Sequence, residues 1–248
     1  MTTQDRKRRE RAAREQLFIQ TAQEMIREDG LLHLQMSRLA EACEYATGTL
    51  YQHFASKEDL LLAIATEDLK RRAAAFVAIP DLPLSSRERM LAVVITDIDF
   101  VTSNPDHFRL IQYVSTEVIW DSASTERRDA LLEEGAPLSD AVARVVADAV
   151  AEGDLPRQPQ WRPVELAAGT WCLTTGMHTL VHANGMLESC SVRDPYALLL
   201  HHSQALLNGL GWQPLTDLED GDLLARQAEH IRTVLARHRP ALTTAPTL

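Results

Sequence analysis

The chain has 248 residues, of which 45% are hydrophobic, and its formal net charge is −10 at pH 7. That hydrophobic content is sufficient for a folded core and excludes disorder throughout the chain. No run of about 18 uncharged apolar residues occurs and no apolar signal-peptide core follows the charged N-terminus, so we expect a cytoplasmic protein without a membrane span.

The negative charge is unevenly distributed along the chain. Residues 1–57 contain nine Lys or Arg and eight Asp or Glu, and within residues 1–14 there are six basic and two acidic residues. A basic N-terminal arm of this kind can reach nucleic-acid phosphates, while the acidic remainder would point away from them. Charge alone leaves open the alternative that the arm is only a solvated tail.

Three helices are predicted near the N-terminus. The first has one apolar face, formed by Phe18, Ala22, Met25 and Ile26, and it ends at Gly30. The second has its apolar residues at helical spacing, namely Met36, Leu39, Ala40 and Cys43. In the third helix, we expect Ala46, Leu50 and Phe54 to face the core and the small polar residues to face solvent. Two short helices joined by a tight turn, the second with exposed hydrogen-bonding side chains, are the layout that places a helix in the DNA major groove.

These residues carry a resemblance to a known family. The run Gly48-Thr49-Leu50-Tyr51-Gln52-His53-Phe54, followed by Ser56-Lys57-Glu58 and Leu60, resembles the DNA-binding domain of the TetR family of transcriptional regulators, most strongly over residues 8–66. The resemblance implies an all-helical homodimer that binds a palindromic operator in double-stranded DNA, usually as a repressor that a small molecule releases. The chain departs from the family pattern at Glu44, where Gly is usual, and at Thr47 and Gln52, where a basic residue is frequent.

The resemblance also implies which residues contact DNA. Thr47, Gly48 and Thr49 would begin the recognition helix against bases or phosphates, with Gln52 one turn later. Tyr51 and His53 resemble the phosphate-contacting pair of the family, and Ser37 and Lys57 would also bind phosphate. Tyr45, in the turn, has two open roles, which are a contact to sugar or thymine methyl and simple packing. The recognition helix carries few cationic residues. The clustered charges of the arm, at Arg6, Lys7, Arg8 and Arg9, would compensate for this by entering the minor groove or by following the DNA backbone.

The rest of the chain also has helical patterns. A capping box at Ser56 starts a helix that reaches about Ile79, and a second one at Ser85 starts the next helix. Gly135 and Pro137 are expected to interrupt the region between Thr125 and Glu152. We therefore predict an all-α chain: a three-helix helix-turn-helix domain (1–66, with its basic arm 1–14), a larger helical effector-binding and dimerisation domain (67–240) and a tail (241–248).

Two helices near the C-terminus are dense in small and apolar residues. They cover about 163–183 and 194–210, and the family resemblance assigns them to a four-helix dimer interface. The predicted interface residues are Val164, Ala168, Trp171, Leu198, Leu199, Ala205 and Leu206. An ordinary buried hairpin within a monomer is the alternative. A further helix at about 220–238 would lie beyond the usual family core.

The effector site is less clearly marked in the sequence. The family places a pocket in the helices after the DNA-binding domain, and the candidate lining residues are Phe100, Phe108, Tyr113, Trp120, Trp171, Met177 and His178. Asp97 and Asp99 interrupt an apolar run, where a carboxylate would receive a cationic ligand; the alternative is that these side chains face solvent or pair with Arg109. The core is the competing assignment for all of these residues.

No metal, cofactor or catalytic residue is predicted. His178 and His182 share one helix face at a spacing that suits a metal or haem ligand pair, but no third ligand is near and a satisfied core histidine is the favoured role. The cysteines Cys43, Cys172 and Cys190 have no metal-ligand spacing. No nucleophile elbow, P-loop, dinucleotide fingerprint or HExxH motif occurs.

The leading functional hypothesis is therefore a ligand-responsive repressor that binds DNA as a dimer and is released by an unknown small molecule. Two alternatives remain at this stage. One is an all-helical enzyme whose N-terminal helices only pack, and the other is a constitutive DNA-binding protein without an effector.

Overall fold

The computed structural model describes residues 2–238, and within them it is helical without strands. The α-helices are α1 (Thr3–Asp29), α2 (Met36–Ala42), α3 (Thr47–Tyr51), α4 (Lys57–Phe76), α5 (Ser86–Ser103), α6 (Pro105–Val114), α7 (Glu117–Ser122), α8 (Thr125–Glu152), α9 (Pro163–His182), α10 (Met186–Ser189), α11 (Pro195–Gly209) and α12 (Gly221–His238). The predicted all-α class is confirmed. The predicted tail, 241–248, lies outside the described residues.

The chain forms two compact units. Among the described residues, the first contains 2–70 together with Pro105–Glu134, and the second contains Arg71–Asn104 and 135–238. This division differs from a boundary at residue 66, because 105–134 belongs to the first unit. The apolar residues of that segment, such as Leu110, Val114 and Ile119, are buried in the same core as Phe18. Sequence periodicity predicts that a helix has an apolar face, but it does not indicate which core that face joins.

The first unit is built around α1. Thr2 and Asp5 form a capping box, in which the Asp5 amide donates to Thr2 Oγ1 at 3.2 Å and the Thr2 amide donates to Asp5 Oδ2 at 2.9 Å. The hydrogen bonds that the Thr2 amide and the Thr2 hydroxyl donate to the Asp5 carboxylate lower the pKa of this group. Farther along α1, the buried Phe18 ring meets the ring of Phe54 edge-on, with centroids 6.5 Å apart. This contact fixes α1 against the segment that follows α3.

The second unit has its own core, which contains residues of α5, α8, α9, α11 and α12. α9 packs closely on α11 at Gly169, where an added Cβ would lie 3.0 Å from Leu206 Cδ2. Arg87 of α5 is buried and donates to Gln204 Oε1, to Asn208 Oδ1 and to the Trp212 carbonyl. Burial lowers the pKa of Arg87 to about 10, so the guanidinium remains charged at neutral pH. Through these hydrogen bonds to uncharged acceptors, Arg87 connects α5 to α11 and to the loop that follows α11.

Helix α8 contradicts one prediction from the sequence. It runs without a break from Thr125 to Glu152 and contains Pro137 in its interior, so the expected interruption at Gly135 and Pro137 is wrong. Proline has no N–H to donate along the helix, and this costs about 3 kcal/mol in a helix interior. Burial of Leu131 before the proline and of Val145 after it supports both halves of α8.

None of the helices in residues 2–238 combines the length and the apolarity that a membrane-spanning segment requires.

Candidate nucleic-acid interface

The turn between α2 and α3 sets the direction of α3. In this turn the Glu44 amide donates to the Glu41 carbonyl and the Tyr45 amide donates to the Ala40 carbonyl, both at 2.9 Å. Glu44 has φ = 59°, in the left-handed region, which costs a residue with a Cβ about 1–2 kcal/mol. This is the position at which the sequence departs from a common glycine. The chain therefore keeps the glycine-type turn without the glycine.

Helix α3 is held by its inner face and open on its outer face. Leu50 is fully buried, while Thr47, Gly48 and Gln52 are exposed and Thr49 is half-buried. A Cβ added to Gly48 would meet no atom within 4 Å, so packing within the chain does not require glycine there. The outer face of α3 therefore offers hydroxyls, an amide and an open stretch of backbone to a partner.

The flanking candidates occupy different environments. Ser37, in the first turn of α2, is exposed, and Lys57 is half-buried at the start of α4. Tyr51 is 48% exposed beside the outer face of α3. The Tyr45 ring packs edge-on against Phe18 at a centroid distance of 5.4 Å, which gives it the packing role and leaves it half-buried.

The structure contradicts the interpretation of His53 as a phosphate contact. Its side chain is only 4% exposed, with Nδ1 3.5 Å from Glu15 Oε2. Its ring also packs edge-on against Phe18, with centroids 5.4 Å apart. A side chain enclosed in this way cannot reach a phosphate without leaving the core. Because its neighbours come from α1, nothing in the sequence around His53 predicts its burial.

The basic arm is helical rather than extended. Helix α1 begins at Thr3, and a helix about 10–12 Å wide cannot enter a minor groove about 6 Å wide, so insertion of the arm into that groove is not supported. The guanidinium of Arg11 donates to the Gln52 carbonyl at 3.4 Å, which places this side of α1 next to the end of α3.

The four predicted arm residues therefore lie on two sides of α1. Lys7 and Arg8 precede Arg11 by four and three residues and share its side, because residues at this spacing are neighbours on a helix. Arg6 and Arg9 lie on the opposite side, where Arg6 Nε is 3.5 Å from Glu10 Oε1. Arg11 was not among the predicted contacts, although its helical spacing from Lys7 was visible in the sequence.

The candidate effector residues are not gathered into one site. Phe108, Tyr113 and Trp120 belong to the first unit, whereas Phe100, Met177, His178 and Trp171 belong to the second. Phe108 is buried, and Tyr113 and Trp120 pack on the core that surrounds Phe18, so these three side chains have a core role. Aromatic residues mark cores as well as pockets, and the sequence does not separate the two.

A buried polar cluster occurs in the second unit. Asp97 of α5 accepts from Arg72 Nε at 2.9 Å, and Asp97 Oδ2 is 3.4 Å from His178 Nε2. His178 Nδ1 is 3.2 Å from the Tyr196 hydroxyl. Burial by itself would raise the pKa of Asp97, but the charge of Arg72 and the hydrogen bond from His178 outweigh it and lower this pKa. Burial and the charge of Asp97 raise the pKa of Tyr196.

The side chains that were considered as ligand contacts have partners within the chain. The Asp97 carboxylate already pairs with a cation of the chain, and Arg109 pairs with Asp106 instead of Asp97 or Asp99. His182 Nδ1 contacts the His178 carbonyl at 2.8 Å. Within residues 2–238 no three His, Cys, Asp or Glu side chains come together as a possible metal site.

The second unit also has a small surface cleft, with a volume of about 80 Å³, that the sequence did not indicate. It lies where α5, the end of α4 and α12 meet, and none of the seven candidate effector residues lines it. Its lining is apolar, from residues such as Ile79, Leu82 and Leu235, with Asp99 and Arg232 as charged groups.

The predicted dimer residues divide into buried and exposed ones. Leu199 is almost fully buried in the core of its own unit, so the structure does not support its assignment to an interface. Trp171 is 68% exposed and Val164 is also exposed on α9. Ala168, Leu198, Ala205 and Leu206 are half-buried. The exposure of Trp171 also argues against a role in lining an internal pocket.

Comparisons with known proteins agree with this geometry. Residues 18–64 match the family model of the bacterial regulatory proteins of the tetR family. The HTH-type transcriptional regulator UidR of Escherichia coli K12 is 37% identical over 59 residues, which are 24% of this chain. The matched segment spans only 30% of the length of UidR.

Solved structures are similar over much more of the chain. RolR in complex with resorcinol has a TM-score of 0.58 at 15% identity and covers 95% of this chain and 99% of its own. FadR of Bacillus subtilis in complex with stearoyl-CoA has a TM-score of 0.55 at 16% identity and covers 78% of this chain and 98% of its own. A protein of unknown function from Rhodococcus sp. RHA1 has a TM-score of 0.61 at 22% identity, covering 79% of this chain and 95% of its own.

At these identities the structural similarities show the shared fold and do not transfer a ligand. The match at residues 18–64 shows that this part of the chain is similar to the bacterial regulatory proteins of the tetR family.

Proposed function

We propose that this chain is a transcriptional repressor of the cytoplasm that binds a palindromic operator and is released by a small molecule. The observation that carries the proposal is the exposed polar face of α3, held outward by the buried Leu50 and placed beside a basic face of α1. Small hydroxyl and amide side chains on such a helix can hydrogen-bond to base edges, while basic residues nearby neutralise phosphates.

DNA binding as a homodimer follows from the size of this surface. One helix of five residues reads only a few base pairs, whereas two copies related by a two-fold axis read two half-sites one helical turn apart. The exposed Trp171 and Val164 on α9 supply an apolar face for the second copy. We assign residues 1–66 to DNA binding and residues 67–240 to effector binding and dimerisation.

The proposed release by a small molecule has a structural basis in the fold. It is supported by the fold shared with RolR and FadR, whose structures contain resorcinol and stearoyl-CoA. A ligand that binds more tightly to a conformation with wrongly spaced recognition helices would weaken operator binding. By linkage the coupling would be about 1–3 kcal/mol.

The test is to let the purified full chain select duplexes from a random pool of 30-base-pair DNA. We expect enrichment of a palindrome, and binding to it that weakens as salt increases. Thr47→Ala should change the enriched bases, whereas Lys57→Ala should weaken every duplex alike. Failure to enrich any sequence would refute the proposal. A panel of small molecules added to the selected complex then tests release.

A further inference from the structure

The start of α8 contacts the end of the recognition helix. Arg127 Nη2 donates to the His53 carbonyl at 3.0 Å and to Glu15 Oε1 at 2.8 Å. The guanidinium carbon of Arg127 also lies 5.0 Å from the centroid of the Phe54 ring. Arg127 and Glu15 are about three-quarters buried or more, so solvent screens this contact less than it would at the surface. One side chain of α8 thereby joins α1 to the two residues that follow α3 and its C-cap.

A second contact from the same place reinforces the first. The Ser124 amide, just before α8, donates to Asp59 Oδ1 at 2.7 Å. The other oxygen of Asp59 accepts from the Ala55 amide at 3.2 Å, and the Asp59 side chain is buried. Residues 53–55, the exit from the recognition helix, are therefore held by hydrogen bonds that lead back to the start of α8.

The recognition helix needs such support. It has only five residues, which is far below the length at which a helix is stable by itself in water. The carbonyls at a helix C-terminus lack partners within the helix and carry partial negative charge, so cations are favourable there. Arg11 donates to the Gln52 carbonyl and Arg127 to the next one, that of His53. Two arginines from other helices thus complete the C-terminal end of this segment.

We infer that Arg127 is a positioning residue for DNA recognition, which fixes the recognition helix from the start of α8 without touching DNA. The inference rests on the proposed function. The same helix continues without a break to Glu152.

The chain offers a matched control in Arg128. It is the next residue of the same helix, it is similarly shielded, and its partners are Asp121 and Thr125 rather than residues near the recognition helix. Arg127→Gln and Arg128→Gln remove the same charge. The measurement is the Kd of the full chain for the palindrome that the unmodified chain selects and for a scrambled duplex of equal length, with the thermal midpoint as a check of folding.

We expect Arg127→Gln to weaken binding to the selected palindrome about tenfold or more, because charge-assisted hydrogen bonds are lost, and to leave binding to the scrambled duplex nearly unchanged. Arg128→Gln should change neither Kd. Arg127→Lys keeps the charge but reaches fewer acceptors, and we expect an intermediate loss. A role in stability alone would lower the thermal midpoint without changing the ratio of the two Kd values.

Equal Kd values for Arg127→Gln and Arg128→Gln on the palindrome would overturn the inference while leaving the proposed function intact. If Arg127→Gln does not fold, Glu15→Gln replaces it, because that change weakens the hold on the Arg127 side chain and keeps its bond to the His53 carbonyl. We expect a loss of roughly threefold for the palindrome, and no loss would overturn the inference. A chain that selects no palindrome at all fails earlier, at the proposed function, and the inference fails with it.

Discussion

The two sides of α1 give the sharpest prediction for DNA binding. Lys7 and Arg8 lie on the side of Arg11, which contacts the Gln52 carbonyl, whereas Arg6 and Arg9 lie on the other side. We predict that replacing Lys7 and Arg8 together by Gln weakens DNA binding strongly, while replacing Arg6 and Arg9 by Gln weakens it little. Both double variants lose the same charge from the same two turns of the helix.

The size of the effect follows from the number of phosphate contacts. Two residues in each subunit of a dimer make four contacts, and each contact contributes about 0.9 to the slope of log K against log salt concentration. The slope should therefore fall by about 3.6 in the Lys7 and Arg8 variant. Between about 50 mM and 200 mM salt, the unmodified dimer would then lose roughly 100-fold more affinity than this variant.

The assay is fluorescence anisotropy on the selected palindrome at four or five salt concentrations, with helical content measured for each protein. Both variants keep the Thr2 and Asp5 capping box, so the start of α1 should stay helical in both. Equal slopes for the two double variants would refute the assignment of phosphate contacts to one side of α1. A slope change confined to the Arg6 and Arg9 variant would reverse it.

Four further predictions concern stability and assembly. Glu44→Gly should raise the free energy of unfolding by about 0.5–1 kcal/mol in urea denaturation, since it relieves a left-handed φ of 59° at the cost of glycine entropy. Arg87→Met should lower it by about 3 kcal/mol, because several buried acceptors lose their donor. Folding lowers the pKa of Asp97, so the ionised carboxylate stabilises the folded chain at neutral pH, and this stabilisation is lost as pH falls below the usual carboxyl range. Asp97→Asn should therefore reduce the free energy of unfolding at pH 7 and make it depend less on acid pH. Trp171→Lys should convert dimers to monomers in sedimentation experiments, because it places a charge on the exposed face of α9.

The helix-turn-helix could be predicted because its signals are local. The spacing of Met36, Leu39 and Ala40 sets the inner side of α2, and all three are buried. Leu50 and Phe54 are likewise fully buried as predicted. Each of these positions depends on helical periodicity within a few residues, which a single sequence contains.

The residues that were missed or misassigned depend on partners far away in the chain. His53 is enclosed by Glu15 and Phe18, and Asp97 is paired by Arg72. No periodicity relates residues separated by 25 to 38 positions. The continuity of α8 through Pro137 is of the same kind, because packing on each side of the proline outweighs the local preference of proline against a helix interior.

The structure also accounts for the weakly cationic recognition helix. Thr47 and Gln52 carry no charge, yet the Arg11 guanidinium lies 3.4 Å from the Gln52 carbonyl, with Lys7 and Arg8 on the same side of α1. Under the proposed function, α1 would supply most of the electrostatic attraction to phosphates, and α3 would supply the groups that read bases. Because different helices carry these two contributions, changes on α1 should alter the salt dependence of binding without altering the selected sequence, and changes at Thr47 should do the opposite.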